Sequence, residues 1–247
     1  FIKRKKIKTK YKQFNLDVSK EFKLKCSYDY IIYMASPDSF SEDAYEKSYI
    51  TGLRNTLHAL PQESSKNTQI ILISSTGVYD EKEGKHIKES DLKFSTQFPC
   101  FCLQACERLL IESPFIYTIL RAGGIYGPNR NMMIRSIKEK KARFKASDQI
   151  YMNRIHVEDL ARMIIFSLAN KSCFNEVFNA VDCEPASFNT VLSWTIEKLK
   201  MNKDEFERSK KDQLSRRGNK RCSNQKILEL GFSFKYFSFR EGYLDFL

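Results

Sequence analysis

Residues 70–80 read IILISSTGVYD: four branched or apolar residues run straight into three adjacent hydroxyls, Ser74, Ser75 and Thr76, then a glycine and a Val-Tyr pair. The apolar part does not alternate, so it predicts a strand buried on both faces, as in a parallel sheet between helix layers. Hydroxyls at its carboxyl end fall where open parallel sheets hold their ligands. Such residues also cap the turn that leaves a strand, so a purely structural use is the competing reading.

Working outward, the pattern repeats. KQFNLDV (12–18) alternates in part and predicts a strand. YDYIIYMAS (28–36), closed by Ser-Pro, predicts a strand buried on both faces. Apolar residues at helical spacing from Glu42 to Leu60 predict a helix that stops before Pro61. Downstream, a helix is expected over Phe101–Ile111, a strand over 115–127 ending in a glycine-rich turn, and a helix over Met132–Lys141. A strand fragment then runs into a helix over 153–170, with Glu158 and Asp159 in the first turn, where the helix dipole favours anions. EVFNAVD (176–182) and Phe188–Leu199 complete the series as strand and helix. Strands alternating with helices at this spacing predict an α/β fold with a doubly wound parallel sheet.

The bulk numbers narrow the classes. With 247 residues and 42% hydrophobic content, the chain supports one substantial domain with a real core. No apolar stretch approaches the roughly 18 residues of a membrane span, and no secretory signal opens the chain. Seven cysteines without C-x-x-C pairing fit reduced thiols in a cytoplasmic protein. The net charge is +12, yet Lys3, Arg4, Lys5, Lys6, Lys8, Lys10 and Lys12 supply seven of those charges before any acid occurs. Such an arm is either a solvated end or a site for nucleic acid or a cofactor phosphate. The first residue is Phe1, which fits a processed chain, an incomplete one or a fragment.

Taken in order, YDYIIYMAS, YITGLRNTLHAL, ILISSTGVYD, ACERLL, LRAGGIYGPNR, NRIHVEDLA and EVFNAVDCEP resemble the extended short-chain dehydrogenase/reductases, also called the NAD-dependent epimerase/dehydratase family, and in particular their atypical bacterial branch. The resemblance runs from about Asp17 to Leu247. It implies a single Rossmann-like domain binding NAD or NADP, with residues 1–128 mainly on the cofactor side and a small C-terminal portion, residues 129–247, mainly on the substrate side. The implied substrate is a nucleotide-linked sugar or another small polar molecule. Carried over by position, Ser75 is the catalytic hydroxyl. Ala35, Ser36, Ser74, Gly123, Gly124 and Ile125 lie beside the cofactor, and Thr76, Asn129, Arg130, Asn153 and His156 on the substrate side. Arg4 is the candidate for a 2′-phosphate, and a homodimer is a candidate assembly that the sequence does not decide.

Two departures qualify these expectations. The family's base is a Tyr followed four residues later by a Lys, a spacing that places both on one helix face. The matching positions hold Pro99 and Leu103. Neither takes a proton, and Tyr79 and Tyr126 are expected to pack instead of acting as bases. The resemblance also implies a first strand and a G-x-G-x-x-G turn for the pyrophosphate. No glycine precedes Gly52 and no G-x-G occurs. An upstream segment supplies these parts, or another element fills the space; a chain complete at Phe1 is expected to fold weakly and to bind no dinucleotide in the ordinary way. The reading from another class is therefore a non-catalytic nucleotide sensor or RNA-binding protein on the same fold.

Other groupings have plainer readings. Cys100, Cys102 and Cys106 read as small buried hydrophobes more readily than as zinc ligands. His156 reads as a loop-holding residue, with Asp159 starting the helix. The basic run Ser215–Arg221 holds a phosphate or is solvated, and Phe232, Phe234, Tyr236, Phe237 and Phe239 cover the core.

Overall fold

Near the start of the chain, where the sequence predicts one strand over residues 12–18, the ladder is only two residues long: β1 (Ile2–Lys3) pairs in parallel with β2 (Phe14–Asn15). The Asp17 carboxylate accepts the Ser19 N–H and its carbonyl accepts the Lys20 N–H, which turns the chain out of the strand. The structure is a computed structural model that describes residues 2–3, 11, 14–24, 26–61, 67–211 and 218–247. Arg4, most of the basic arm and residues 215–217 of the second basic run lie outside the described residues.

β3 (Tyr30–Tyr33) leads through the Ser-Pro turn to α1 (Glu42–Tyr45), whose N-terminus the Ser41 hydroxyl caps. A π-helical stretch, Glu46–Thr51, joins it to α2 (Gly52–Ala59). The widened turn has a visible cause. The Tyr33 phenol donates to the Ser48 carbonyl at 2.5 Å and lies against Gly52, where a Cβ would meet its oxygen. After α2 come β4 (Gln69–Ser75), a 3₁₀ turn over Thr76–Val78, and the short β5 (His86–Ile87). Next are α3 (Cys100–Ile111), β6 (Ile116–Ala122), β7 (Gly124–Tyr126) and α4 (Met132–Lys138). β8 (Arg154–His156), α5 (Val157–Ala169), β9 (Glu176–Ala180) and α6 (Phe188–Lys198) follow. The chain ends with β10 (Arg221–Cys222), α7 (Gln225–Glu229) and α8 (Phe239–Leu244).

The main sheet is all parallel in the order β3-β4-β6-β9, with Ser75 level with Ala122 and Tyr33 level with Leu72. β4 is interior, and its residues divide between two cores. Ile70 and Leu72 pack with Leu53, Leu57, Leu103 and Leu110 on one face, and Ile71 packs with Leu160, Met163 and Ile164 on the other. The strand expected over 115–127 breaks at Gly123. β6 stays in the main sheet, while β7 leaves it to pair with β8 in a separate parallel ribbon. A third core, of Tyr126, Ile134, Val191, Phe239 and Tyr243, covers one side of that ribbon.

One expectation fails at β3, which is not buried on both faces. Tyr33 faces a core, but Tyr28, Tyr30, Ile32 and Met34, alternate residues on the other face, are exposed, Tyr30 by 53% and Met34 by 59%. Among the described residues β3 is an edge strand and no helix covers that face. Phe237 is also exposed, unlike Phe232, Tyr236 and Phe239, which cover the core as expected. The three clustered cysteines are buried thiols, Cys100 donating to the Val78 carbonyl. No helix among the described residues is long and apolar enough to cross a membrane.

Candidate functional site

The parallel sheet brings three of the marked segments to one end. Ala35 and Ser36 follow β3, Ser75 and Thr76 close β4, and Gly123 and Gly124 follow β6 directly beside Ser75. Ser36 and Gly124 are exposed, Ala35, Ser75 and Ile125 half-buried, and Thr76 buried. The Ser75 hydroxyl accepts the Gly77 N–H at 3.1 Å, which caps the 3₁₀ turn. That bond uses an oxygen lone pair and leaves its proton available to an acceptor. Gly123 is required by close backbone approach, because a Cβ there would stand 2.8 Å from the Asn153 backbone.

Ser74 is used differently. Its hydroxyl donates to Glu107 Oε1 at 2.6 Å, the first link of a fully buried network. Arg121 Nε and Nη2 grip the Glu107 carboxylate, and Arg121 Nη1 donates to the Tyr79 phenol at 2.7 Å and to the Glu89 carbonyl at 3.0 Å. The Tyr79 phenol in turn donates to Asn179 Oδ1 at 2.7 Å. Burial raises the Tyr79 phenol well above its ordinary range, with Arg121 pulling the other way. Burial also opposes the charge on Arg121, but Glu107 more than offsets it and holds the guanidinium protonated. Neither Glu107 nor Asn179 was marked from the sequence. The available signal was Arg121, a charge inside an otherwise apolar strand, which demands a buried partner.

The α3 face beside Ser75 carries no proton acceptor at the two positions in question. Pro99 is buried, and Leu103 packs so closely that a Cβ on Gly77 would lie 3.0 Å from its Cδ1. Tyr126 is buried, and burial pushes its phenol upward as well. One cation of the second basic run reaches this turn and is not solvated: buried Lys220 donates to the Tyr79 carbonyl at 2.8 Å, and desolvation lowers its pKa.

The substrate-side candidates do not all converge. Asn129 and Arg130 sit on an exposed turn, Asn129 at φ 64° and the Arg130 N–H bonded to the Gly127 carbonyl. Asn153 lies against Gly123, but its amide is engaged with β10, donating to the Lys220 carbonyl and accepting the Cys222 N–H. His156 Nδ1 accepts the Glu158 N–H and caps α5, and burial lowers the pKa of its imidazole. Asp159 starts that helix and accepts the backbone N–H groups of Lys235 and Tyr236, holding the C-terminal segment.

The family model of the NAD dependent epimerase/dehydratase family matches residues 9–180, more than half of the chain, and the chain belongs to that family. A comparison with curated proteins finds no match. Solved structures are similar throughout. MoeE5 in complex with UDP-glucuronic acid and NAD superposes with a TM-score of 0.79 at 17% identity, over 98% of this chain and 86% of that one. The ADP-L-glycero-D-manno-heptose-6-epimerase of Helicobacter pylori gives 0.74 at 17% identity, over 96% and 78%. A short-chain dehydrogenase/reductase superfamily protein from Agrobacterium tumefaciens with bound NAD gives 0.73 at 15%, over 95% and 84%. At these identities the likeness is one of fold, and the Rossmann-like assignment stands on it.

For a dinucleotide, the described residues fit one half. The strand ends at Ser36, Ser75 and Gly124 offer an accessible polar rim. No described residue forms a glycine turn at a helix N-terminus for the pyrophosphate, since the turn after β3 reads Met-Ala-Ser-Pro.

Proposed function

We propose that this chain is an NAD(P)-dependent epimerase/dehydratase-like or reductase-like protein for a nucleotide-linked sugar or a related small polar substrate, with a degenerate Tyr-x-x-x-Lys site. The observation that carries it is Ser75, half-buried at the sheet's carboxyl end beside Gly123, with its hydroxyl proton still to give. In this reading Ser75 donates to the substrate oxygen. Ala35, Ser36 and Gly123 to Ile125 flank NAD or NADP, and Thr76, Asn129, Arg130 and Asn153 stand on the substrate side, while Ser74 stays in the buried Glu107 network and His156 caps α5. Pro99 and Leu103 leave α3 without the usual base, so turnover is expected to be slow and no proton-abstraction step is assigned to a side chain.

The test is calorimetric titration of the 247-residue chain with NAD, NADP and UDP-glucose, alone and in pairs, followed by turnover assays of wild type and Ser75→Ala. Nucleotide-sugar binding retained in Ser75→Ala, with loss of whatever turnover exists, supports the reading. No binding of any of the three at millimolar concentration would sink it. A second reading, a nucleotide-sensing or RNA-binding protein, is favoured by one surface feature: a groove lined by Arg143, Lys145, Lys210 and Lys211. RNA retention that falls steeply with salt and fails when these four are neutralised would favour it over the enzyme.

A further inference from the structure

The turn that carries Ser75 is held at both ends by one guanidinium. Arg121 is level with Ser74 on the neighbouring strand β6. Its Nε and Nη2 grip the Glu107 carboxylate, whose Oε1 also accepts the Ser74 hydroxyl at 2.6 Å, so the residue before Ser75 is tied to Arg121 through Glu107. Its Nη1 donates to the Tyr79 phenol at 2.7 Å, so the far end of the turn is tied to Arg121 directly. Arg121 and Glu107 are 3% and 2% exposed, and water competes little for these bonds.

The stretch between the two ties is fixed from outside as well. The Val78 carbonyl accepts the Cys100 thiol at 2.6 Å and Gln104 Nε2 at 2.9 Å, both from α3, and the Tyr79 carbonyl accepts Lys220 Nζ. Gly77 lies against Leu103 and sends its N–H to the Ser75 hydroxyl oxygen. Neighbouring residues of a strand face opposite ways, so the tie at Ser74 pins the end of β4 without taking the space in front of Ser75. Of the staggered rotamers open to a serine, the fixed turn selects the one in which Oγ meets the Gly77 N–H. A buried ion pair adds little stability that well-packed apolar residues would not add, so its presence here is better accounted for by placement.

We propose that Glu107 and Arg121 are positioning residues for Ser75: through Ser74 and Tyr79 they hold the turn so that the Ser75 hydroxyl meets the substrate oxygen. The inference rests on the enzymatic reading above and adds to it the residues on which the aim of its hydroxyl depends. Misplacing a reacting group by about 1 Å costs on the order of a hundredfold in rate, which is what such a hold would prevent.

The experiment is amide hydrogen exchange of the full chain, followed by NMR, in wild type, Ser74→Ala and Tyr79→Phe. Each variant cuts one tie and leaves the Arg121–Glu107 pair whole, and either serves if the other does not fold. The Gly77 N–H reports on Ser75, its acceptor, and the Leu120 N–H, inside β6, reports on global unfolding. Gly77 exchange should accelerate about tenfold more than Leu120 exchange in both variants. Equal acceleration of the two amides, as a purely stabilising network gives, overturns the proposal.

Turnover supplies a second readout. With UDP-glucose, Ser74→Ala should lower kcat about tenfold with KM little changed, and should lower it no further in a Ser75→Ala background, because it acts through that hydroxyl. An equal fall in both backgrounds overturns the proposal. A wild type that binds none of NAD, NADP and UDP-glucose sinks the enzymatic reading and with it the use assigned to the hydroxyl, whereas equal amide acceleration in a wild type that binds them sinks the positioning alone.

Discussion

Two arginines are buried to the same degree, Arg121 at 3% exposed and Arg154 at 2%, and they live in opposite surroundings. Around Arg121, the α3 helix presents Glu107 and the turn after β4 presents Tyr79, so its donors are taken up by a carboxylate, a phenol and the Glu89 carbonyl. Around Arg154, α8 presents Phe239, and no donor finds a protein acceptor. The difference teaches that a buried charge has no fixed energetic meaning. What the facing helix offers decides whether it locks two layers together or sits without hydrogen-bond partners.

The largest test of this contrast is Arg121→Met, which strands the Glu107 carboxylate in the core. A loss of about 3–5 kcal/mol in urea unfolding is expected, and a loss below about 1 kcal/mol would mean that the network does not lock the layers. The second is pH. Asp182 is faced by Arg154, His156, Tyr126, Tyr243, Glu184 and Glu241, and burial dominates, so its folded pKa of about 8 stands above the unfolded value of roughly 4. Between those values the native state keeps a proton that the unfolded chain has released. This contribution is complete below about pH 4 and lost as pH rises through 8, with a slope of at most about 1.4 kcal/mol per pH unit. Asp182→Asn should flatten that slope, and an unchanged profile in the variant would assign the slope elsewhere.

Smaller effects sharpen the comparison. Tyr79→Phe removes the hydroxyl that links Arg121 to Asn179 and should cost about 1–2 kcal/mol, read in the same urea experiment. Arg154→Met breaks no side-chain hydrogen bond and strands no hydrogen-bonded carboxylate, losing only the Phe239 contact and the facing charge at Asp182, so in the same urea experiment it should cost less than Arg121→Met. A cost equal to that of Arg121→Met would erase the distinction between the two sites.

The fold was legible where periodicity and apolar runs carried it. β4, α3, α5 and β9 fall close to their expected spans because each has a pattern that one kind of element satisfies. β3 departs from its expected burial because Tyr30 to Ala35 are apolar on both faces of the alternation. Whether a helix covers the outer face depends on chain elsewhere, not on those residues. The Ser75 rim was legible through the order of motifs. The use of Ser74 was not, since its partner Glu107 lies a whole helix away and neighbouring hydroxyls look alike in sequence. Arg154 and Asp182 stayed hidden for the same reason: β8 and the end of β9 meet only after the chain has left the main sheet at Gly123.

The all-parallel order β3-β4-β6-β9 has a consequence for how the molecule is born. Every pair of neighbouring strands in it is tens of residues apart along the chain, with no hairpin to start from. Of the two interior strands, β4 with its IILIS run must wait exposed until long loops close on both sides, so folding should be slow, and newly made chain should be vulnerable to association through that strand before it is to anything at the finished surface.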